Sequence, residues 1–305
     1  MRDLIIIGGG PAGLTAGIYA SRARLDVQLL EMTAPGGQIL VSDLVENYPG
    51  FPGGISGGEL MERMAEQARR LDLSIAVGEV TSVDFSGPLK KLALSDGKKI
   101  ETKTVIIATG ATPRKLGVPG ENRFYGRGVS YCATCDGPFF RDKVVVAVGG
   151  GDTAVQESLF LTKFAKKVHL VHRRDALRAA RILQERALGN DKLVMEWDSV
   201  VTSINGNDDV ESVTVKNLKT GKARELAADG CFVWVGIEPN SGFLKDAVKL
   251  DEQGFVVTDA TMATSAPGVF AAGDVRNTPL RQVATAVGDA AIAAMSAEHY
   301  IETMK

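Results

Sequence analysis

One short pattern, used twice, restricts what this chain can fold into. Residues 3–7 form a continuous β-branched and aliphatic run, the pattern of a strand buried on both faces. Gly8-Gly9-Gly10-Pro11-Ala12-Gly13 follows at once, then a helix-like stretch over 12–24 and a strand over 26–30 that ends at Glu31. Strand, glycine turn, helix, strand and acid, in this order, specify a dinucleotide-binding unit. Gly8 makes the tight turn, Gly10 lets a pyrophosphate approach the backbone, and Gly13 lets helix and strand pack closely. The helix start, where Pro11 sets the backbone of the first turn and Ala12 follows, offers free N–H groups beyond the proline and the positive end of a dipole to phosphate.

The pattern returns at 143–148, followed by Gly149-Gly150-Gly151-Asp152-Thr153-Ala154, a helix-like stretch to about Lys166 and a strand over 168–171. It ends at His172-Arg173-Arg174, and His172 stands as far from Gly149 as Glu31 from Gly8 (172−149 = 31−8 = 23). The ribose-reading position thus carries an acid in one unit and a basic cluster in the other. A carboxylate there accepts from ribose hydroxyls and repels a 2′-phosphate; arginines hold that phosphate by charge-assisted bonds. Glu31 therefore suits the adenosine half of FAD, and His172, Arg173 and Arg174, with Arg178 close behind, suit NADPH. Gly151, Asp152, Thr153 and Ala154 form the phosphate turn of the second unit. The competing reading of Arg173, Arg174, Arg178 and Arg181 is a solvated basic face, and it fits Arg181 best.

The chain does not fall into two simple halves. Gly268 to Asp274 reads as a strand closing on a Gly-Asp pair, and an alanine-rich helix is predicted over about 281–300. The expected fold is α/β, with two Rossmann-like dinucleotide-binding domains, the NADPH domain being inserted into a discontinuous FAD domain. The boundaries are 1–112 and 242–305 for the FAD-binding domain and 113–241 for the NADPH-binding domain with its cysteine pair. Proline and glycine near both crossings suit a two-stranded hinge. A length of 305 residues agrees with about two domains. A net charge of −2 argues against recruitment of nucleic acid or an anionic membrane. No apolar run reaches the roughly 18–20 residues of a bilayer span, and the N-terminus has no signal-peptide pattern. The expected location is cytoplasmic.

Of the three cysteines, Cys132 and Cys135 form a Cys-x-x-Cys followed by Asp136-Gly137, and Cys231 sits in an apolar strand where it reads as core. Two thiols at this spacing can close a small disulfide ring, often at a helix start that raises the thiolate fraction. Thiolate attack is the route of disulfide exchange. Half of a zinc site is a rival reading, but four ligands are needed and the chain has only three histidines, so no metal is expected. Two inert buried cysteines are the other rival. Exchange also needs a proton donor for the departing thiolate. His299 lies in the predicted last helix without a motif, so Asp136 is the better candidate, its rival role being a turn aspartate.

Taken together, these segments resemble the low-molecular-weight thioredoxin reductases. The resemblance rests on Gly8–Gly13, Pro35-Gly36-Gly37-Gln38, Glu46-Asn47-Tyr48-Pro49-Gly50, Cys132–Gly137, Gly149–Ala154, His172–Asp175, Gly268–Asp274 and Arg281-Gln282, in the family's order along nearly the whole chain. It implies a homodimer with one FAD per chain, and electron flow from NADPH through flavin and the cysteine pair to thioredoxin. It implies that Gly37, Gln38, Asn47, Gly110, Gly273, Asp274, Arg281 and Gln282 line the FAD. It further implies that the inserted domain rotates so that nicotinamide and disulfide reach the flavin in turn, with Cys135 nearer the flavin. Arg123 and Arg127 could guide an acidic partner, but ordinary surface arginines fit them better. The alternatives are a glutaredoxin-like or peroxiredoxin-linked partner, a donor such as NADH or ferredoxin, and a catalytically idle nucleotide-binding sensor.

Overall fold

A computed structural model describes residues 1–41, 45 and 47–304; Glu46 of the quoted motifs lies outside the described residues. The chain divides into two compact units, Met1–Thr112 with Glu238–Lys305, and Pro113–Ile237. In the first unit, β1 (Arg2–Ile7) leads into α1 (Pro11–Arg22), β2 (Val27–Glu31), α2 (Gly57–Arg69), β3 (Ser74–Val77), β4 (Val80–Asp84), β5 (Lys90–Leu94) and β6 (Lys99–Ile107). The chain crosses through β7 (Ala111–Pro113). The second unit holds β8 (Val129–Ser130), α3 (Ala133–Asp136), β9 (Val144–Gly149), α4 (Asp152–Leu161), β10 (Lys167–Val171), α5 (Arg181–Leu188) and β11 (Leu193–Glu196). It continues with β12 (Ser199–Gly206), β13 (Val210–Asn217), β14 (Ala223–Ala227) and β15 (Gly230–Trp234). The return runs through β16 (Ile237–Pro239), and β17 (Val269–Ala271) and α6 (Val283–Thr303) complete the first unit.

The first sheet has seven strands in the order β3-β2-β1-β6-β5-β4, with β17 beside β6. β1 pairs in parallel with β2 on one side and β6 on the other, so the strand order reverses at its carboxyl end. Ligands of open α/β sheets bind at such a reversal. Ile5 and Ile6 are wholly buried, as a strand covered on both faces requires. One face carries α1, α2 and α6, whose buried alanines 286, 290, 293, 294 and 297 belong to the same core as Leu14 and Ala16 of α1. Alanine favours the helix and lets two helix backbones approach.

The second unit repeats the design in a five-stranded parallel sheet, β11-β10-β9-β15-β8, where β9 lies between β10 and β15. A three-stranded antiparallel sheet, β12-β13-β14, contributes Val201, Val213 and Val215 to the core that also takes Val146 and Cys231. The helix expected to continue to Lys166 stops at Leu161. Asp142 N–H donates to the Phe164 carbonyl and Lys166 N–H to Lys143, so the start of β9 draws that backbone out of the helix. The return crossing lies at Ile237/Glu238 rather than at 241/242. Asn240 already belongs to the first unit: its N–H donates to the Gly110 carbonyl at 3.0 Å, and its amide donates to the Thr109 carbonyl at 2.8 Å.

Candidate functional site

In the first unit the N-cap of α1 is Gly10, extended and without a side chain to satisfy the first helical N–H groups. Those donors are left to a ligand or solvent. A side chain at Gly13 would place its Cβ 1.8 Å from the Gly8 carbonyl oxygen, so helix and turn touch at the backbone. Gly37 comes up against the same turn, its ideal Cβ 3.3 Å from the Gly10 Cα, and Gly36 N–H donates to the Gly9 carbonyl at 2.9 Å. Gly273 arrives from the other side, its ideal Cβ 3.1 Å from that of Ala12. Residues distant in sequence thus meet around Pro11 and Ala12 and leave a cradle of bare backbone. Glu31 does more than its position implied: its Oε2 accepts from Gly9 N–H at 2.6 Å, locking the glycine turn to the end of β2.

The remaining first-unit candidates split into two groups. Gln38 donates to the Ala111 carbonyl, beside Gly110, whose own carbonyl carries Asn240. Asn47 donates to Gln282 Oε1 at 3.1 Å, and Gln282 N–H is held by Thr285 Oγ1 at 3.1 Å at the start of α6. Arg281 lies over the Phe255 ring, 4.2 Å from its centroid, and its Nε is buried with no hydrogen-bond partner among the described residues. A buried donor without an acceptor is rare unless a ligand supplies one. Burial pushes the Asp274 carboxyl up to about 6, against the pull of Arg281 and with the help of Asp289. Asp289, an acid inside an alanine-rich helix that carried no sequence signal, accepts from Gly273 N–H at 3.2 Å and pairs with Arg276 at 2.8 Å. It fixes the Gly273-Asp274 turn.

In the second unit Gly151 caps α4 without a side chain, and Asp152, Thr153 and Ala154 open the helix. The His172 ring packs on Gly150, where a Cβ would fall 2.2 Å from it. His172 is only 5% exposed, and burial lowers its pKa, so the imidazole is neutral near pH 7. Arg173, Arg174 and Arg178 are exposed at the same end of the sheet. Asp175, the acid among them, is taken by Lys219 at 3.1 Å, so these arginines have no ion pair among the described residues. Arg181 opens α5.

Cys132 and Cys135 form a disulfide, with Cys132 as N-cap of α3. Cys135 N–H points at Cys132 Sγ at 3.3 Å. Ser130 organises this turn: its Oγ accepts from Cys132 N–H at 3.0 Å and donates to Asp136 Oδ2 at 2.6 Å. The half-buried Asp136 carboxylate is therefore held against the cysteine turn. Glu157 of α4 faces the same helix start; burial pushes its carboxyl up, while the backbone amides of Ala133 and Thr134 pull it down. Glu121, 1% exposed, accepts from Leu116 and Gly117 N–H at 2.9 and 2.8 Å and from the Tyr131 hydroxyl at 2.8 Å. Neither glutamate could be singled out in the sequence: Glu157 lies more than twenty residues along the chain from the amides it faces, and Glu121, though close in sequence to its partners, stands in no motif that marks it as buried. Cys231 is fully buried in β15, and His299 is exposed on α6 of the first unit. Among the described residues, no helix is long and apolar enough to cross a membrane.

Residues 2–290 match the pyridine nucleotide-disulphide oxidoreductase family. Thioredoxin reductase of Treponema pallidum (strain Nichols) is 48% identical over 303 residues, 99% of this chain and 98% of the relative. The crystal structure of thioredoxin reductase from Streptococcus pyogenes MGAS5005 superposes with a TM-score of 0.92 at 51% identity, covering 99% of each chain. That of Giardia duodenalis gives 0.90 at 38% identity, again over 99% of each. A disulfide at a helix start, two glycine turns that each open a helix and these likenesses along the whole length agree, and the chain belongs to the thioredoxin reductases of the pyridine nucleotide-disulphide oxidoreductase family.

Proposed function

We propose that this protein reduces the disulfide of thioredoxin with electrons from NADPH, by way of FAD and the Cys132–Cys135 pair. The observation that carries the reading is the Cys132–Cys135 disulfide, in the same unit as a glycine turn flanked by arginines that have no carboxylate partners among the described residues. FAD fits the first unit: the bare cradle of Gly8, Gly10, Gly13, Gly37 and Gly273 accepts a pyrophosphate, and Glu31 stands at the ribose position. The buried Arg281 Nε, which has no hydrogen-bond partner among the described residues, would hold the rest of that group with Asp274, Gln282, Asn47, Gln38 and Gly110. NADPH fits the second: the turn at Gly151, Thr153 and Ala154 takes the pyrophosphate, and Arg173, Arg174 and Arg178 take the 2′-phosphate while a neutral His172 supports the turn. When bound, the flavin supplies two-electron chemistry between a reduced nicotinamide and a disulfide.

The chain's own residues do the exchange. Reduction opens the Cys132–Cys135 bond to two thiols, one of which, as thiolate, attacks the partner's disulfide. The mixed disulfide is then cleaved by the other cysteine, so the pair closes again and the partner leaves with two thiols. Asp136, held by Ser130, gives or takes the proton as these thiolates form and depart. A cytoplasmic homodimer completes the reading. The groove along α6 lined by Tyr19, Ile292, Met295 and Tyr300 is an apolar surface that a second copy could cover.

The test is an anaerobic titration of the flavin-loaded protein with NADPH and, separately, NADH, followed by oxidised thioredoxin. Bleaching at lower NADPH than NADH is expected, with reoxidation by thioredoxin only when both cysteines are present. Reoxidation that survives Cys135→Ser would sink the proposed path. No bleaching by either nucleotide would point to another donor, such as ferredoxin.

A further inference from the structure

In both units the loop after the second strand is stapled to the middle glycine of the turn. In the first, Gly36 N–H donates to the Gly9 carbonyl at 2.9 Å; in the second, Arg178 N–H donates to the Gly150 carbonyl at 2.7 Å. Beyond that staple the two units differ. The first goes on with a glycine, Gly37, whose backbone lies against Gly10. The second goes on with alanines and adds another bond: Ala180 N–H donates to Asp152 Oδ1 at 2.7 Å. Gln184 secures the opposite side of the loop, its amide reaching the Ala179 carbonyl at 2.7 Å. Between these fixed points sits Arg178, exposed and without an ion pair among the described residues. Among the described residues no hydrogen bond or ion pair holds its guanidinium, so the backbone clamp sets where the side chain leaves the loop.

Asp152 is otherwise hard to account for. It stands in the first turn of α4, at the helix end where a pyrophosphate docks, and a carboxylate there repels that ligand. We propose that Asp152 is a positioning residue for 2′-phosphate recognition: its carboxylate clamps the Arg178 loop to the glycine turn and does not itself read the nucleotide. The proposal rests on the NADPH reading above. It assigns discrimination between phosphorylated and plain ribose to a residue that touches neither.

The test compares wild type, Asp152→Ala and Asp152→Asn in the flavin-loaded protein by calorimetric binding of adenosine 2′,5′-bisphosphate and of AMP. KM and kcat for NADPH and NADH are measured alongside. Asp152→Ala should weaken the bisphosphate roughly tenfold, the scale of one lost charge-assisted bond. AMP binding should stay within about twofold and so report an intact fold. The KM for NADPH should rise with kcat unchanged. Asp152→Asn, which keeps an acceptor oxygen, should restore bisphosphate binding. Equal weakening of both nucleotides, or a failure of Asn to rescue, overturns the clamp. If wild type binds the two nucleotides equally, the NADPH reading itself fails, and that result is distinct because it appears before any substitution.

Discussion

At the residue scale, charge and burial set the behaviour of single groups. Arg174 is exposed and has no ion pair among the described residues, so Arg174→Gln should raise the KM for NADPH about tenfold or more and leave NADH nearly unchanged, measured by steady-state kinetics. Asp274 gives a pH prediction. Its carboxyl is raised by burial from 3.8 to about 6, so folding favours the protonated form. Its contribution to stability is complete below about pH 3.8 and is lost as pH rises through about 6. Flavin-free Asp274→Asn should therefore match wild type near pH 4 and become the more stable of the two by pH 7, in chemical denaturation at both values. The two glycine turns, the strand end at Glu31, the cysteine pair and the placement of the arginines after β10 were legible in the sequence because each stands at a fixed offset within a local unit. Asp289 and Asn240 were not, because an acid inside α6 and an asparagine after a proline acquire their partners only in the fold.

At the element scale, α3 illustrates how a very short helix is made dependable. Four residues cannot sustain a helix by themselves. Here Cys132 caps the start, Ser130 ties the turn to Asp136, and Glu157 of α4 faces the first amides. Upstream, the buried Glu121 joins the 116–117 backbone to Tyr131, the residue before Cys132. Burial first, then the bond to Glu121, pushes the Tyr131 hydroxyl up, so it remains a donor. Glu121→Gln turns an acceptor toward donors it cannot fully satisfy and should cost about 3 kcal/mol. Tyr131→Phe should cost about 1 kcal/mol. Urea denaturation of both single variants and the double variant would check this, and additive effects would contradict a shared network. The strands and long helices were readable from periodicity; the early end of α4 was not, since pairing with the start of β9 overrides a sequence that could have stayed helical.

At the scale of the whole molecule, the chain is two units linked by two crossings that run side by side as β7 and β16. The proposed cycle needs the cysteine pair and the nicotinamide to serve one flavin in turn, which a rotation about those crossings would permit. A cross-link engineered between the units should allow at most a single turnover and abolish steady-state thioredoxin reduction, as stopped-flow against multiple-turnover assays would show. Undiminished steady-state turnover would remove the rotation from the mechanism. The interruption of one unit by the other was legible because a strand closing on Gly-Asp recurs late in the sequence. The place of return was shifted because side-chain bonds, not composition, decide it.

The paired crossings also bear on how the polypeptide matures as it leaves the ribosome. Arg114 N–H bonds to the Gly236 carbonyl at 2.9 Å, so the inserted unit begins and ends at nearly the same point. To the flanking chain, a folded insertion of this kind is a short tether, and the entropy of bringing β17 back to β6 is correspondingly small. Everything the inserted unit needs has been synthesised by residue 237, whereas α1 must wait for α6 to cover it. A nascent chain halted shortly after residue 237 should therefore carry a protease-resistant inner body flanked by an N-terminal stretch still open to cleavage. The part translated in the middle matures first, and the part translated first is among the last to close.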